Sequence, residues 1–182
     1  MKFSEFISAH GVPMRKAAGD HVFNQGDSDQ SLYIVQSGLL KAYYLSSDGK
    51  ENIKSFIVAG DNIGSLVAAY AKQQCSFSLV CLQDTQLIKV DFQAVYDAGR
   101  DNLEIASTVV DFLLAFAMKK ERREFELLCL SAEDRYRLLL KNMPDIAERV
   151  TQNEIALYLG ITPVGLSRIK KRIQAEPKSI VG

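Results

Sequence analysis

Cysteine is scarce: Cys75, Cys81 and Cys129 are the only three, an odd number without close spacing. They build no disulfide framework and point to a reducing compartment. Neither sign of charge is in excess, since 22 Lys and Arg face 22 Asp and Glu. A globally basic coat is therefore excluded, and any nucleic-acid footprint must be a local patch. Long apolar runs are missing too, so no segment is expected to cross a bilayer, and Met1–His10 lacks the apolar centre of a signal peptide. The expectation is a cytoplasmic protein without a membrane partner. No nucleophile–base pair, metal cluster or phosphate-cradling glycine loop is visible, and acids such as Glu121 and Glu124 sit in a charged block; these absences argue against an enzyme. What remains is ample core material, 47% hydrophobic residues over 182 positions, enough for one large domain or two small ones.

The most informative stretch runs from Thr151 to Ile173, TQNEIALYLGITPVGLSRIKKRI. Thr151 with Glu154 forms a capping box, the mutual satisfaction of unpaired N–H groups at a helix start. Ile155, Ala156 and Leu159 recur at helical spacing, and Gly160 suits the left-handed residue that ends a helix. Thr162 can cap a second helix with Pro163 at its first position, where a missing N–H costs nothing. Leu166, Ile169 and Ile173 make its buried stripe, while Val164, Ser167, Arg168 and Lys171 face away. Residues 161–182 hold Arg168, Lys170, Lys171, Arg172 and Lys178 against only Glu176. Two ordinary packed helices would not need every boundary signal at once together with a basic outer face. The spacing predicts a helix-turn-helix whose second helix enters the major groove.

Upstream, residues 2–9 read as a short amphipathic helix. From Gly19 to about Val90 the pattern becomes short strands (HVF, SLYIVQ, LLKAYYL, NIKSFIV, SFSLVCL, TQLIKV) separated by Gly19-Asp20, Gly26-Asp27, Asp48-Gly49 and Gly60-Asp61. Asp48-Gly49 predicts a hairpin, and the even spacing predicts an antiparallel barrel or roll. GSLVAAYAKQ interrupts it as one or two helical turns. From Asp101 to about Leu128, Ile105, Val109, Phe112, Leu113 and Phe116 keep a helical period, a helix about 40 Å long at 1.5 Å per residue. One roll cannot cover such a helix, so a stripe of Ile105, Val109, Phe112 and Phe116 is expected to meet a second copy. The block KKERRE (119–124) reads as a solvated helix segment, because exposed ion pairs contribute only ~0–1 kcal/mol. A further helix starts at Ser131 and breaks at Pro144.

The fold class expected is α+β: an N-terminal antiparallel, jelly-roll-like double-stranded β-helix (1–100), a long dimerisation helix (101–129) and a small C-terminal helix-turn-helix domain (130–182). This arrangement resembles the Crp/Fnr family of bacterial transcription regulators. The likeness rests on Gly19-Asp20, Gln25-Gly26-Asp27, Leu32-Tyr33-Ile34-Val35 with Gly38, Gly60-Asp61 with Ile63-Gly64, and the DNA-binding segment. It implies a homodimer on an imperfect palindrome of double-stranded DNA, a signal sensed in the roll, and RNA polymerase as a further partner.

The resemblance also implies an effector pocket over Ile63, Gly64, Ser65, Leu66, Cys75 and Ser76. Members that bind cyclic AMP place a Glu on the ribose and an Arg on the cyclic phosphate; here those positions are Ser65 and Cys75, with Ser76 matching. Cys75 offers neither charge nor fork, so cyclic AMP is not the expected ligand. The pocket is expected to be either vestigial or tuned to an unknown, less charged small-molecule effector, although N–H groups near Ser65 and Leu66 could draw a small anion. An iron–sulfur sensor needs four thiolates; haem at Cys75, His10 or His21 finds no support, so no cofactor is expected. In the reading helix Arg168 takes the place of a base-contacting Arg, able to grip guanine O6 and N7. Val164 can touch a thymine methyl, and Thr151, Thr162, Ser167, Lys171 and Arg172 suit phosphates. Only nine residues follow Ile173, too few for the usual β-hairpin wing. The competing reading is a cyclic-nucleotide-domain-like interaction module that no longer binds specific DNA.

Overall fold

The computed structural model describes residues 1–175, and the chain divides into two compact units, Met1–Glu121 and Arg122–Gly182. The first opens with helix α1 (Phe3–His10), then strands β1 (Val12–Lys16), β2 (His21–Phe23), β3 (Ser31–Ser37), β4 (Leu39–Leu45), β5 (Glu51–Val58) and β6 (Asn62–Ile63). Helix α2 (Leu66–Ala69), strands β7 (Ser78–Cys81) and β8 (Thr85–Asp91), helix α3 (Phe92–Asp101) and the start of helix α4 (Leu103–Cys129) complete it. The strands form two antiparallel four-stranded sheets, ordered β1-β8-β3-β6 and β2-β7-β4-β5.

The Gly-Asp punctuation has a shared mechanism. At Gly19-Asp20, Gly26-Asp27 and Gly60-Asp61 the glycine takes positive φ. The aspartate then accepts the N–H three residues back, from Ala17 (2.9 Å), Asn24 (2.7 Å) and Val58 (3.0 Å). Each pair is one self-contained turn, which is why the dipeptide recurs wherever a strand must stop.

Inward-facing side chains of both sheets meet between them: Phe23, Tyr33, Val35, Leu40, Ile57, Ile63, Phe77, Leu79 and Leu87 form one buried cluster with Ala68, Cys75 and Cys81. A second cluster joins Phe6, Ile7, Leu32, Ala69, Val90, Phe92, Val95 and Ile105, with Val109 packed against it. That second cluster is how α1, α3 and the first turns of α4 are fastened to the roll.

Several features differ from the sequence reading. Strand β1 carries Pro13 and was not foreseen; it lies at a sheet edge, where a missing N–H is tolerated. Strand β6 is only two residues long. The helical pattern of the long segment is also not continuous with what precedes it. Asp91 caps α3 through Ala94 N–H (2.8 Å), and Asn102, in extended conformation, ends it. The Asn102 Oδ1 then accepts from Glu104 and Ile105 N–H (3.0 and 3.2 Å) and starts α4. In the β4–β5 hairpin, Ala42 pairs with Ser55 and Tyr43 with Ile53, so Lys54 is the extra residue of a β-bulge.

The second unit holds the end of α4, then α5 (Ala132–Asn142), α6 (Pro144–Arg149), α7 (Gln152–Leu159) and α8 (Pro163–Ala175). Pro144 breaks the chain as expected, yet it opens a separate short helix, a position where proline is at home. Glu176 and Lys178 of the predicted basic segment lie outside the described residues. Among the described residues no helix is long and apolar enough to cross a membrane.

Candidate functional site

The capping box at Thr151 is formed from both sides: Glu154 N–H donates to Thr151 Oγ1 (3.2 Å) and Thr151 N–H to Glu154 Oε2 (2.9 Å). Gly160 ends α7 in the left-handed conformation, φ 70°. Thr162 Oγ1 accepts Gly165 N–H at 3.1 Å, beginning α8. Ile155, Ala156, Leu159, Leu166 and Ile169 are buried, and Ala156 at 0% exposure is the point where α7 leaves no room for a longer side chain. These contacts fix which way α8 points. Thr162, Val164, Ser167, Arg168, Lys171 and Arg172 lie on its exposed side, and Thr151 is exposed at the start of α7. Not every cation of α8 is unengaged: Arg172 Nε is paired with Glu133 at 2.7 Å, and Lys170 Nζ, still charged, donates to the Gln152 amide oxygen (2.8 Å).

Two arginines that the sequence reading passed over support this unit. Arg135 Nη1 donates to Leu130 O (2.7 Å) at the end of α4, and its Nη2 donates to Leu159 O (2.9 Å) at the end of α7. Both carbonyls belong to helix ends that would otherwise lack a donor. Arg123 lies over the Tyr158 ring, 3.8 Å from its centroid, and donates to Tyr158 O. Burial pulls its pKa below the usual guanidinium range, with opposing contributions from Tyr158 and Glu126. So the 119–124 block is not uniformly solvated: Arg123 is half-buried while Lys119, Lys120, Glu121, Arg122 and Glu124 are exposed. Only the distant Tyr158 distinguishes Arg123, which is why the sequence alone gave no sign of it.

Along α4 two apolar faces lie on opposite sides. Ile105 is fully buried in its own roll, Val109 packs on the same cluster, and Phe112 and Phe116 are half-buried with ring centroids 6.2 Å apart. The outward apolar face is instead Leu103 (86% exposed), Val110, Leu114, Met118, Phe125 and Leu128. The helical period places both sets a half-turn apart, and a periodicity count alone cannot tell which one the roll takes.

In the roll, Ile63 is buried in β6, and a side chain on Gly64 would meet Ser31 O at 2.6 Å. Ser65 is 1% exposed and Cys75 2%. Ser65 Oγ accepts Ala68 N–H (3.4 Å), capping the four-residue α2. Leu66 packs on the second cluster, while Ser76 is exposed. Cys75 exchanges backbone bonds with the Gly26-Asp27 turn, its N–H donating to Asp27 O (2.7 Å) and its carbonyl accepting Gly26 N–H (2.9 Å). Its thiol donates to Asp29 O (3.5 Å). Burial pushes that thiol's pKa up, and the Asp29 backbone and the Ser65 hydroxyl oppose the shift. The two positions are thus brought together, but as neutral groups at the wall of a packed interior. Deeper in, Tyr33 donates to Asp29 Oδ2 (2.8 Å), and burial first, then Asp29, holds its phenol well above the ordinary range.

Residues 13–102 match the family model for the cyclic nucleotide-binding domain. The transcriptional activator protein Anr of Pseudomonas protegens is 26% identical over 184 residues, covering 92% of this chain and 72% of that protein. The fumarate and nitrate reduction regulatory protein of Vibrio cholerae is 26% identical over 174 residues, covering 89% and 68%. Among solved structures, FixK2 from Bradyrhizobium japonicum shares the fold with a TM-score of 0.78 at 18% identity, over 90% of this chain and 84% of that one. A structure described as a transcriptional regulator of the crp/fnr family from Eubacterium rectale gives a TM-score of 0.74 at 18% identity, over 96% and 84%. With its double-sheet roll, long helix and capped C-terminal helix pair, the chain belongs to the Crp/Fnr family of transcription regulators.

Proposed function

We propose that the chain is a DNA-binding homodimer that reads an imperfect palindrome through α8 and takes a signal in its roll. On this reading residues 1–100 form the sensor, 101–129 the dimerisation helix and 130–182 the reader. The outward face of α8 carries the proposal: Arg168 and Lys171 stand exposed on a helix whose buried stripe and caps fix its orientation. Arg168 makes the bidentate contact to guanine, Val164 meets a thymine methyl, and Thr151, Thr162, Ser167, Lys171 and Arg172 position phosphates. Arg172 must exchange Glu133 for phosphate to do so. The seam between copies uses Leu103, Val110, Leu114, Met118, Phe125 and Leu128, the apolar face left outside, rather than the buried Ile105. Two-fold symmetry then sets the two readers about 34–36 Å apart, one turn of DNA, with RNA polymerase as the further protein partner.

Cyclic AMP is not the proposed signal. A cyclic phosphate needs a charge-assisted donor, and the two positions that would hold the nucleotide are the neutral, buried Ser65 and Cys75.

Electrophoretic mobility measurements at two salt concentrations test the reading. Specific DNA should be bound with affinity falling steeply as salt rises, because phosphate neutralisation releases counterions. Absence of binding even in dilute buffer would favour an interaction module over a DNA reader.

A further inference from the structure

We propose that Glu133 at the start of α5 is a built-in competitor for DNA phosphate, which holds down the sequence-independent affinity of the reading unit by keeping Arg172 engaged. The proposal deepens the DNA-reading role of α8 and rests on it.

The carboxylate stands where two helices meet. Its Oε2 lies 2.7 Å from Arg172 Nε on α8, and its Oε1 accepts from Arg137 Nη2, on α5 itself, at 3.1 Å. Glu133 falls in the first turn of α5, just after the Ser131 cap. Unpaired N–H groups at a helix start favour negative charge there. The three side chains are unequally placed: Glu133 is 23% exposed, Arg137 41% and Arg172 63%. The acid is thus the seated member of the group, and Arg172 is the one able to leave.

What Arg172 leaves for has the same chemistry. A guanidinium takes a carboxylate or a phosphate through similar charge-assisted bonds. While Glu133 holds Nε, that edge of the guanidinium is closed to phosphate. A phosphate on the remaining nitrogens comes well within a Debye length of the carboxylate, and like charges repel. Lys170, by contrast, meets only the neutral Gln152 amide. When Arg172 departs, Arg137 still neutralises the acid, so the exchange strands no bare charge.

Phosphate contacts carry no sequence information. The competition therefore falls on all duplexes alike. Glu133 sets how tightly any DNA is held and leaves the choice of sequence to Arg168.

The test uses the full chain, a mixed-sequence DNA duplex as probe, and fluorescence anisotropy in dilute buffer. Glu133→Gln keeps the size of the side chain and removes its charge. It should bind the duplex about threefold more tightly for each reading helix engaged, the scale of an exposed ion pair. Glu133→Ala, which removes the side chain as well, should gain by a similar factor. In an Arg172→Ala background Glu133→Gln should change affinity by less than about 1.5-fold, because the group competed for is gone. In the free chain the Arg172 Nε–H resonance, identified as the one missing from Arg172→Ala, should move in Glu133→Gln. An unmoved resonance would overturn the proposal, as would an equal gain in both backgrounds, which would make Glu133 a general repulsive charge. Duplex binding by the native chain with no gain in Glu133→Gln sinks only the competition. Absence of binding by the native chain and both Glu133 variants sinks the DNA-reading role itself, and the proposal with it.

Discussion

Replacing Lys54 by methionine should make the protein more stable at neutral pH. The substitution keeps an unbranched side chain of similar length on the bulge and removes a charge that burial, then Lys120 and Lys119, push down from a pKa of 10.5 to about 8. Each tenfold change in proton affinity is worth about 1.4 kcal/mol, so the full shift corresponds to roughly 3 kcal/mol against the charged form. Lys54 is only half-buried, and solvent screening brings the expected gain to about 1–2 kcal/mol. For a chain of this size that is a rise in Tm of about 2–8 °C.

The pH dependence has a definite sign. Below about 8 both folded and unfolded chains hold the proton, and the cost of the buried charge is present in full. Between there and 10.5 the unfolded chain binds more protons than the folded one, so native stability rises with pH relative to the variant. Thermal unfolding followed by circular dichroism, at neutral pH and again at about pH 9.5, reads both effects. The advantage of Lys54→Met should be largest at neutral pH and shrink at the higher value. A variant less stable than the native chain at neutral pH, or a gap that ignores pH, would refute the placement of an unpaired ammonium between Phe77 and Phe116.

Three other outcomes follow from the same structure. Arg168→Ala should lose about 1–3 kcal/mol of specific DNA affinity and relax preference at one base pair per half-site; quantitative footprinting with an unchanged profile would remove its base-reading role. Leu114→Glu alters a side chain 56% exposed on α4, so the fold should persist while sedimentation velocity shows dissociation to monomer; a dimer of native mass would exclude the outward face as the seam. Isothermal titration with cyclic AMP should give no heat of specific binding, and saturable micromolar binding would overturn the argument from Ser65 and Cys75.

Local signals in the sequence were reliable where a residue and its partner are neighbours in the chain. The Thr151–Glu154 box, the left-handed Gly160 and the Thr162 cap can be read directly, since each is closed within four residues. Between His21 and Asp91 every strand except the two-residue β6 was legible for the same reason, because each Gly-Asp turn is self-contained. Pro13 hid β1, and the capping asparagine at 102 hid the division between α3 and α4. Residues whose role depends on distant partners were not legible. Ile105 and Leu114 are both apolar and helical, and only the roll decides which is covered. Lys54 sits in an ordinary strand pattern, and the register that makes it a bulge depends on Ala42 and Tyr43 across the hairpin. Arg123 and Arg135 looked like two more charges in a charged stretch, though their partners lie at Tyr158 and Leu159.

The guanidinium of Arg135 has a mechanical corollary. One planar, five-donor group grips the terminal carbonyls of two different helices, Leu130 O beyond α4 and Leu159 O in α7. Flexible point contacts would let one helix turn while the other stayed behind; a rigid fork held at both tines does not. Torque applied to the last turns of α4 is therefore handed to α7, and through the Gly160 corner to α8, with little slack. The end of α4 and the α7–α8 pair are thus geared together by Arg135, with Arg123 on Tyr158 as a second link.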